Sequence, residues 1–206
     1  MNLAVFDFDS TLMDGETIDF LAKELGLEKE VASITKDAME GRLDFFESLT
    51  KRVALLEGLK EDKVNEICKN LPFIKGAKEI IAYLKNSGFR VFVFSGGFTN
   101  ATTPARGQLG FDMDFSNTLH AKDGVLSGKV AGEMCFSHSK GAMIQKLQKI
   151  FGVQYKDTLV VGDGANDLSM LEFAEKRVAF CAKDILKKEA NIIIDEKNLE
   201  LIKNYI

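Results

Sequence analysis

The sequence predicts an α/β protein built on a doubly wound, mostly parallel sheet, with an inserted α-helical cap and a small β-hairpin excursion. The first observation behind this prediction is a set of short apolar runs that end abruptly in Asp, Ser or Gly. The second is the helical spacing of apolar residues between most of these runs. The third is one long stretch, residues 17–71, in which only helical spacing occurs.

Five apolar runs have the character of strands that are buried on both faces. Apolar residues in them do not alternate with polar ones, which is typical of a parallel sheet covered by helices on both sides. The runs are residues 3–6, 90–94, 158–161, 178–181 and 192–195. Helices are predicted between and after them over residues 75–86, 140–151 and 167–175.

Residues 17–71 predict an insertion of consecutive helices, each of which stops at a glycine or at Pro72. This helical insert begins ten residues after Asp7, so we expect it to cover the carboxyl edge of the sheet as a cap. Turn residues at 122–124 and 127–128 predict the β-hairpin within residues 118–134. The predicted domains are a core of residues 1–14 and 73–206 and a cap of residues 15–72.

The composition excludes several classes of partner. The 27 Lys+Arg and 31 Asp+Glu residues give a net charge of −4, which argues against nucleic acid and against a polybasic membrane-binding surface. No apolar run approaches the roughly 18 residues that span a bilayer, and no basic segment precedes the first strand. We therefore expect a cytoplasmic protein without a membrane partner, and no oligomeric state is predicted.

Two acidic side chains follow the first predicted strand. Asp7 and Asp9 are two residues apart, so on an extended chain their carboxyl groups point to the same side. Carboxylates this close repel each other unless a cation or a shared proton neutralises them. Mg²⁺ suits carboxylate and phosphate oxygens, so the pair predicts a magnesium site, a shared proton, or both.

Further polar residues follow other strands or begin a helix. Ser95 and Gly96 follow the second predicted strand, Asp163 and Asp167 follow a third, and Lys140 begins a helix. The carboxyl ends of parallel strands meet at one edge of the sheet, so we expect these residues to converge there. Carboxylates would hold a metal, while the hydroxyl, backbone N–H and ammonium groups would hold an anion. The set predicts a magnesium-plus-phosphate site.

Four motifs resemble those of the haloacid dehalogenase superfamily, in the same order along the chain. They are residues 7–12 (Asp-Phe-Asp-Ser-Thr-Leu), residues 95–96 (Ser-Gly), Lys140 and residues 162–167 (Gly-Asp-Gly-Ala-Asn-Asp). Within that superfamily nearly the whole chain is similar to the phosphoserine phosphatases. The resemblance implies a Rossmann-like core and Mg²⁺-dependent hydrolysis of O-phospho-L-serine through a phosphoaspartyl intermediate, as the last step of serine synthesis.

The resemblance also implies a role for each matching residue. Asp7 would be the nucleophile, and Asp9 would protonate the leaving serine oxygen and later deprotonate the attacking water. Magnesium would be held by the Asp7 carboxylate, the Asp9 main-chain carbonyl and Asp163, with Asp167 supporting them. The phosphoryl oxygens would be bound by Ser95, Gly96, Lys140 and Asn166.

Substrate selection is expected to lie in the helical insert. By the same resemblance, Glu16 would hold the α-ammonium group of the substrate and Arg52 its α-carboxylate, with Met39 and Phe45 as apolar walls. The charges agree with this assignment, because a zwitterionic amino acid needs one anion and one cation, and arginine offers a bidentate fork.

Three alternatives remain at this point. A phosphotransferase that passes the phosphoryl group to another alcohol would use the same motifs, and so would a hydrolase of another small phosphomonoester. A receiver domain that stores phosphate on an aspartate is the alternative from another class of protein. Asp9 argues against a receiver, because it supplies the acid/base that would discharge a phosphoaspartate, and the helical insert has no role there.

Overall fold

A computed structural model describes residues 1–39 and 42–206, except for the Met39 side chain. The predicted role of Met39 as an apolar wall therefore lies outside the described residues. Among the helices of the described residues, none combines the length and the apolar character that crossing a membrane requires.

A seven-stranded sheet forms the centre of the molecule, in the order β4-β3-β2-β1-β5-β6-β7. Its strands are β1 (Asn2–Asp7), β2 (Phe89–Phe98), β3 (Met113–Lys122), β4 (Val125–Gly132), β5 (Thr158–Gly162), β6 (Lys176–Phe180) and β7 (Ile192–Ile194). All neighbouring pairs are parallel except β3 and β4, which pair antiparallel. The predicted fold class is confirmed.

Helices of the described residues fall into two groups. Four of them follow β1 directly in the chain and precede α5: α1 (Thr17–Leu25), α2 (Glu28–Met39), α3 (Phe45–Ala54) and α4 (Glu61–Lys69). The others are α5 (Ala77–Asn86), α6 (Thr99–Leu109), α7 (Ser139–Phe151), α8 (Leu168–Leu171) and α9 (Asp184–Lys187). The first group is the helical insert predicted from the sequence.

The central strand β1 shows why its sequence lacks alternation. Leu3 and Val5 pack into a hydrophobic cluster on one face of the sheet, whereas Ala4 and Phe6 pack into a second cluster on the other face. All four side chains are buried, because helices cover both faces and β1 lies between β2 and β5. This position brings Asp7, the last residue of the strand, to the middle of the carboxyl edge.

The helical insert packs onto the core without a separate hydrophobic centre. The same buried cluster that covers one face of the sheet includes one residue from each of α1 to α4, namely Leu21, Val31, Leu49 and Val64. Helix α3 also contacts β4, and α4 contacts α6. The division into a core and a cap of residues 15–72 stays a prediction.

The structure differs from the sequence prediction at two places. The hairpin predicted as an excursion is part of the main sheet, because β3 begins at Met113 and pairs in parallel with β2. Strand β2 continues through residues 95–97 to Phe98, with an irregularity in its pairing between Phe94 and Phe98. The serine and glycines therefore lie in the bulged end of a strand and not in a turn after it.

Candidate active site

The candidate active site lies where three adjacent strands end. Asp7 is the last residue of β1, Ser95 and Gly96 lie in the bulged end of β2, and Asp163 directly follows β5. Because β2, β1 and β5 are neighbours in the sheet, these residues meet at one edge. Helix α7 adds Lys140 from its first turn.

A buried ammonium group joins two carboxylates at the base of this edge. Lys140 Nζ lies 2.7 Å from Asp7 Oδ1 and 2.6 Å from Asp167 Oδ1. Asp7 accepts two further hydrogen bonds, from the Phe8 backbone N–H at 2.7 Å and from Asn166 Nδ2 at 3.3 Å. The Asp7 carboxylate is thus held in one orientation by donors from three segments of the chain.

The charges at this point are not balanced within the protein. Burial and the neighbouring Asp167 raise the pKa of Asp7 well above its usual range, although Lys140 acts in the opposite direction. Burial lowers the pKa of Lys140, but Asp167 and Asp7 raise it by more, so the net shift is upward. One ammonium group therefore serves two buried carboxylates, and a further cation would be stabilised beside them.

Asp163 completes a cluster of three carboxylates that fits a divalent cation. One oxygen from each of Asp7, Asp163 and Asp167 lies within 4.8 Å of the others. Burial and Asp167 raise the pKa of Asp163 to about 7. The ionised form of Asp163 is therefore unfavourable at this position unless a cation lies beside it. Hard oxygen donors in this arrangement are the ligands that Mg²⁺ and similar ions prefer.

Asp167 has a supporting position in that cluster. Its Oδ2 accepts the backbone N–H groups of Asp163 at 3.0 Å and Gly164 at 3.1 Å, while Oδ1 accepts from Lys140. A Cβ atom on Gly162 would lie only 2.4 Å from Asp167 Oδ2, so the close approach requires glycine. Asp167 therefore fixes the loop that carries Asp163.

The Asp9 carboxylate accepts hydrogen bonds from both the helical insert and β2. Its Oδ1 accepts from the backbone N–H of Thr17 at 2.7 Å and from the Thr17 hydroxyl at 2.5 Å. Its Oδ2 accepts from the Ser95 hydroxyl at 3.2 Å. Burial raises the pKa of Asp9 above its usual range, and the hydrogen bonds from Thr17 and Ser95 oppose that shift. Asp9 thus links the core to the first turn of α1.

The bulged end of β2 is closely packed around its glycines. The Ser95 hydroxyl accepts the Gly97 backbone N–H at 2.9 Å, and Asn117 Nδ2 donates to the Gly96 carbonyl at 3.0 Å. A Cβ atom on Gly96 would lie 2.8 Å from the Phe45 ring, and one on Gly97 would lie 2.6 Å from Asp9 Oδ2. A ligand can approach the backbone of Gly96 and Gly97 closely, because these two residues have no side chains.

A cavity of about 410 Å³ lies between this edge and the helical insert. The volume is in the range of small-molecule sites. Its walls include predicted site residues from both parts of the chain: Asp7, Asp9, Glu16, Phe45, Arg52, Gly96, Asp163 and Asn166. Ser95, Lys140 and Asp167 are buried and are not part of this lining.

One anion and one cation of the insert face the cavity. Glu16 Oε1 accepts from the Ser10 hydroxyl at 2.8 Å, and burial together with Asp9 raises the pKa of Glu16 to about 8. The Glu16 side chain is exposed, and it lines the cavity. Arg52 Nε donates to the Ser48 carbonyl at 3.3 Å. Burial lowers the pKa of Arg52, while the charge of Glu16 raises it. A zwitterion would find both of its partners here.

Comparison with known proteins agrees with this geometry. Residues 1–175 match the haloacid dehalogenase-like hydrolase family. The phosphoserine phosphatase of Wolinella succinogenes is 60% identical over 202 residues, which are 98% of each chain. The chain belongs to the phosphoserine phosphatase family. The enzyme of that name from Methanocaldococcus jannaschii is 49% identical, with 99% of this chain and 97% of the relative covered.

Solved structures of this family have the same fold. A phosphoserine phosphatase described as a phospho-aspartyl intermediate analogue superposes with a TM-score of 0.94 at 49% identity, covering 100% of this chain and 98% of the other. A substrate-bound phosphoserine phosphatase gives a TM-score of 0.94 at 48% identity over the same shares of the two chains. The resemblance inferred from the four motifs is confirmed, as is the fold that it implied.

Sequence reasoning missed two residues that hold the site together. Thr17, the first residue of α1, donates twice to Asp9. The available signal was an acidic residue shortly before a predicted helix, because the N-terminus of a helix favours a carboxylate. Asn117 donates to the Gly96 carbonyl and accepts the Met134 backbone N–H at 3.0 Å. No local pattern identifies Asn117, because its partners lie in β2 and after β4.

Proposed function

We propose that the protein is a Mg²⁺-dependent phosphomonoesterase that hydrolyses O-phospho-L-serine to L-serine and phosphate. The observation that carries the proposal is the Asp7 carboxylate, which is held at the base of the cavity beside Asp163, Lys140 and Asn166. Membership of the phosphoserine phosphatase family supports the choice of substrate. A cytoplasmic location, expected from the sequence, remains part of the proposal.

The metal-binding groups would be the Asp7 carboxylate, the main-chain carbonyl of Asp9 and Asp163. The three-carboxylate cluster fits this role, and Asp167 keeps the Asp163 loop in place through two backbone N–H groups. A bound Mg²⁺ supplies positive charge that screens the repulsion between Asp7 and a phosphate dianion. The protein supplies the orientation of the nucleophile.

The reaction would proceed by two displacements at phosphorus. An Asp7 oxygen attacks phosphorus, the bond to the serine oxygen breaks, and the Asp9 carboxyl group donates its proton to that oxygen. Water then attacks the phosphoaspartate, Asp9 takes up a proton from the water, and phosphate leaves with Asp7 restored. The raised pKa of Asp9 favours the protonated form that the first step requires.

The phosphoryl oxygens would be bound by Ser95, the Gly96 backbone N–H, Lys140 and Asn166. Lys140 and Asn166 already contact Asp7, so donors that orient the nucleophile also lie next to the position where charge develops. Ser95 and Lys140 lie behind the cavity wall, and they would reach the phosphoryl group only as it joins Asp7.

The amino-acid end of the substrate would extend towards the helical insert. Glu16 would pair with the α-ammonium group and Arg52 with the α-carboxylate, since both side chains line the same cavity. The Phe45 ring packs where a Cβ of Gly96 would be, and it would form an apolar wall beside the substrate.

Steady-state phosphate release tests the proposal. The protein is freed of metal with EDTA, and activity is compared with and without added Mg²⁺ on O-phospho-L-serine, phosphoethanolamine and phosphoglycolate. We expect Mg²⁺-dependent release that is fastest with phosphoserine, because only this substrate carries both charged groups. Equal rates on the three compounds would favour a hydrolase of another small phosphomonoester.

The products separate hydrolysis from the alternative reactions. Serine and phosphate are expected in equal amounts, with or without an added alcohol such as homoserine. Serine formed in excess of phosphate, together with a phosphorylated alcohol, would indicate a phosphotransferase. A single stoichiometric phosphorylation without turnover would indicate a receiver domain.

A further inference from the structure

Lys183 is a cation of the cavity wall that the proposed mechanism leaves unused. It lies in the segment between β6 and α9, and it lines the cavity together with Asp163. We propose that Lys183 is a substrate-positioning residue, whose ammonium group draws the phosphoryl end of the substrate to the Asp163 side of the cavity. The inference rests on the proposed function for the identity of the substrate, but not for the binding of phosphate.

The residues of the cavity wall give such a cation a role. Five carboxylates line the cavity against two cations, Arg52 and Lys183; the five are Asp7, Asp9, Glu16, Asp19 and Asp163. Acidic groups therefore outnumber the cations of the cavity wall, and a cation that faces the path of a phosphate dianion would favour its entry.

Neither of the other two cations near the cavity can take this role. Lys140 is 3% exposed, is not part of the lining, and is paired with Asp7 at 2.7 Å and Asp167 at 2.6 Å. Arg52 lies on α3, on the side of the helical insert, where the amino-acid end is proposed to bind. Lys183 is exposed, and its ammonium group forms no ion pair with any residue in the described part of the chain.

The backbone fixes the position of Lys183 independently of its side chain. Its N–H donates to the Asp163 carbonyl at 2.9 Å, and its own carbonyl accepts the N–H groups of Leu186 at 3.0 Å and Lys187 at 3.2 Å. Removing the ammonium group should therefore change the field of the cavity while the loop stays in place.

The test compares Lys183→Gln and Lys183→Arg with a matched control, Lys188→Gln. Lys188 is exposed, follows α9 directly and does not line the cavity, so its substitution changes the net charge equally. Binding of inorganic phosphate in the presence of Mg²⁺ is measured by titration calorimetry, and kcat/KM for phosphoserine is measured at low and high salt. Thermal unfolding of each variant checks its fold.

We expect Lys183→Gln to lower phosphate affinity and kcat/KM by about tenfold at low salt, and to weaken the salt dependence of kcat/KM. Lys183→Arg should restore both quantities, and Lys188→Gln should match the unsubstituted protein. A Lys183→Gln variant that binds phosphate like the Lys188→Gln control would overturn the inference, as would a loss explained by a lower unfolding temperature. If phosphoserine is not hydrolysed by the unsubstituted protein but phosphate binding depends on Lys183, the proposed substrate fails and the role of Lys183 stands.

Discussion

Replacing Lys140 by methionine tests the electrostatic account of the site through folding stability. The Lys140 side chain is 3% exposed, and its ammonium group lies 2.7 Å from Asp7 and 2.6 Å from Asp167, whose side chains are also buried. Methionine keeps most of the apolar stem but leaves two buried carboxylates without their partner. Breaking a buried pair in this way costs about 3–5 kcal/mol, and we expect a loss of that size in the free energy of unfolding at pH 7 without metal.

Urea unfolding with EDTA present measures this loss. With an m-value of about 2 kcal/mol/M, the expected loss lowers the urea midpoint by about 2 M. In the unsubstituted protein the pKa of Lys140 is higher in the folded than in the unfolded state. Its contribution to the free energy of unfolding is therefore fully present when the pH is below the unfolded pKa of about 10.4. In the variant, the pKa of Asp7, which is already raised in the folded state, rises further once Lys140 no longer lowers it, so the folded state binds more protons than the unfolded state. The deficit should therefore shrink as the pH falls from 7 to about 4.

The control lies on the same helix. Lys146 is an exposed lysine of α7, and Lys146→Met should change the free energy of unfolding by less than about 0.5 kcal/mol. The double variant Lys140→Met/Asp167→Asn should recover part of the loss, because one uncompensated charge is removed. A deficit of the same size at pH 4.5 and pH 7 would refute the reasoning, because it would indicate lost packing and not unpaired charge.

Three further substitutions test other parts of the account. Arg52→Ala should raise KM for phosphoserine by at least about 30-fold, which corresponds to the loss of a charge-paired partner worth about 2 kcal/mol. The kinetics with phosphoethanolamine, which has no carboxylate, should stay unchanged. Equal losses on both substrates would contradict the assignment of Arg52 to the α-carboxylate. Gly97→Ala places a Cβ 2.6 Å from Asp9 Oδ2 and should lower kcat by about a hundredfold with little change in KM, whereas an unchanged kcat would contradict the role of Asp9. Phe136 packs against Phe46 of α3 with ring centroids 5.1 Å apart, so Phe136→Trp introduces a single tryptophan at this contact. Its fluorescence should change when phosphoserine binds in the cavity that α3 lines, and a constant spectrum would contradict binding beside the helical insert.

The sequence was sufficient for the parts of the fold that depend on local patterns. Strand β1 was recognisable because both of its faces are buried, which removes the alternation of apolar and polar residues. The convergence of Asp7 and Asp163 followed from the rule that parallel strands present their carboxyl ends at one edge, and β1 and β5 are indeed neighbours. These predictions required only the order of the elements.

Contacts between distant segments could not be predicted in the same way. Strand β3 begins with exposed or half-buried residues at Met113 and Asp114, so its first half lacks the apolar signal of a central strand. Asn117 reaches the Gly96 carbonyl only through the register of β3 against β2. The role proposed for Lys183 likewise could not be predicted, because it depends on the position of the loop after β6 beside Asp163. Each of these features depends on packing and not on a sequence pattern.

The most direct test of the central claim is to find the phosphoryl group on Asp7. The protein is mixed with O-phospho-L-serine and Mg²⁺, quenched in acid within milliseconds to seconds, digested and mapped by mass spectrometry. We expect a phosphoryl adduct on the peptide that contains Asp7 during turnover, and neither adduct nor phosphate release in Asp7→Asn. Sustained phosphate release by Asp7→Asn, or an adduct on a different residue, would contradict the account.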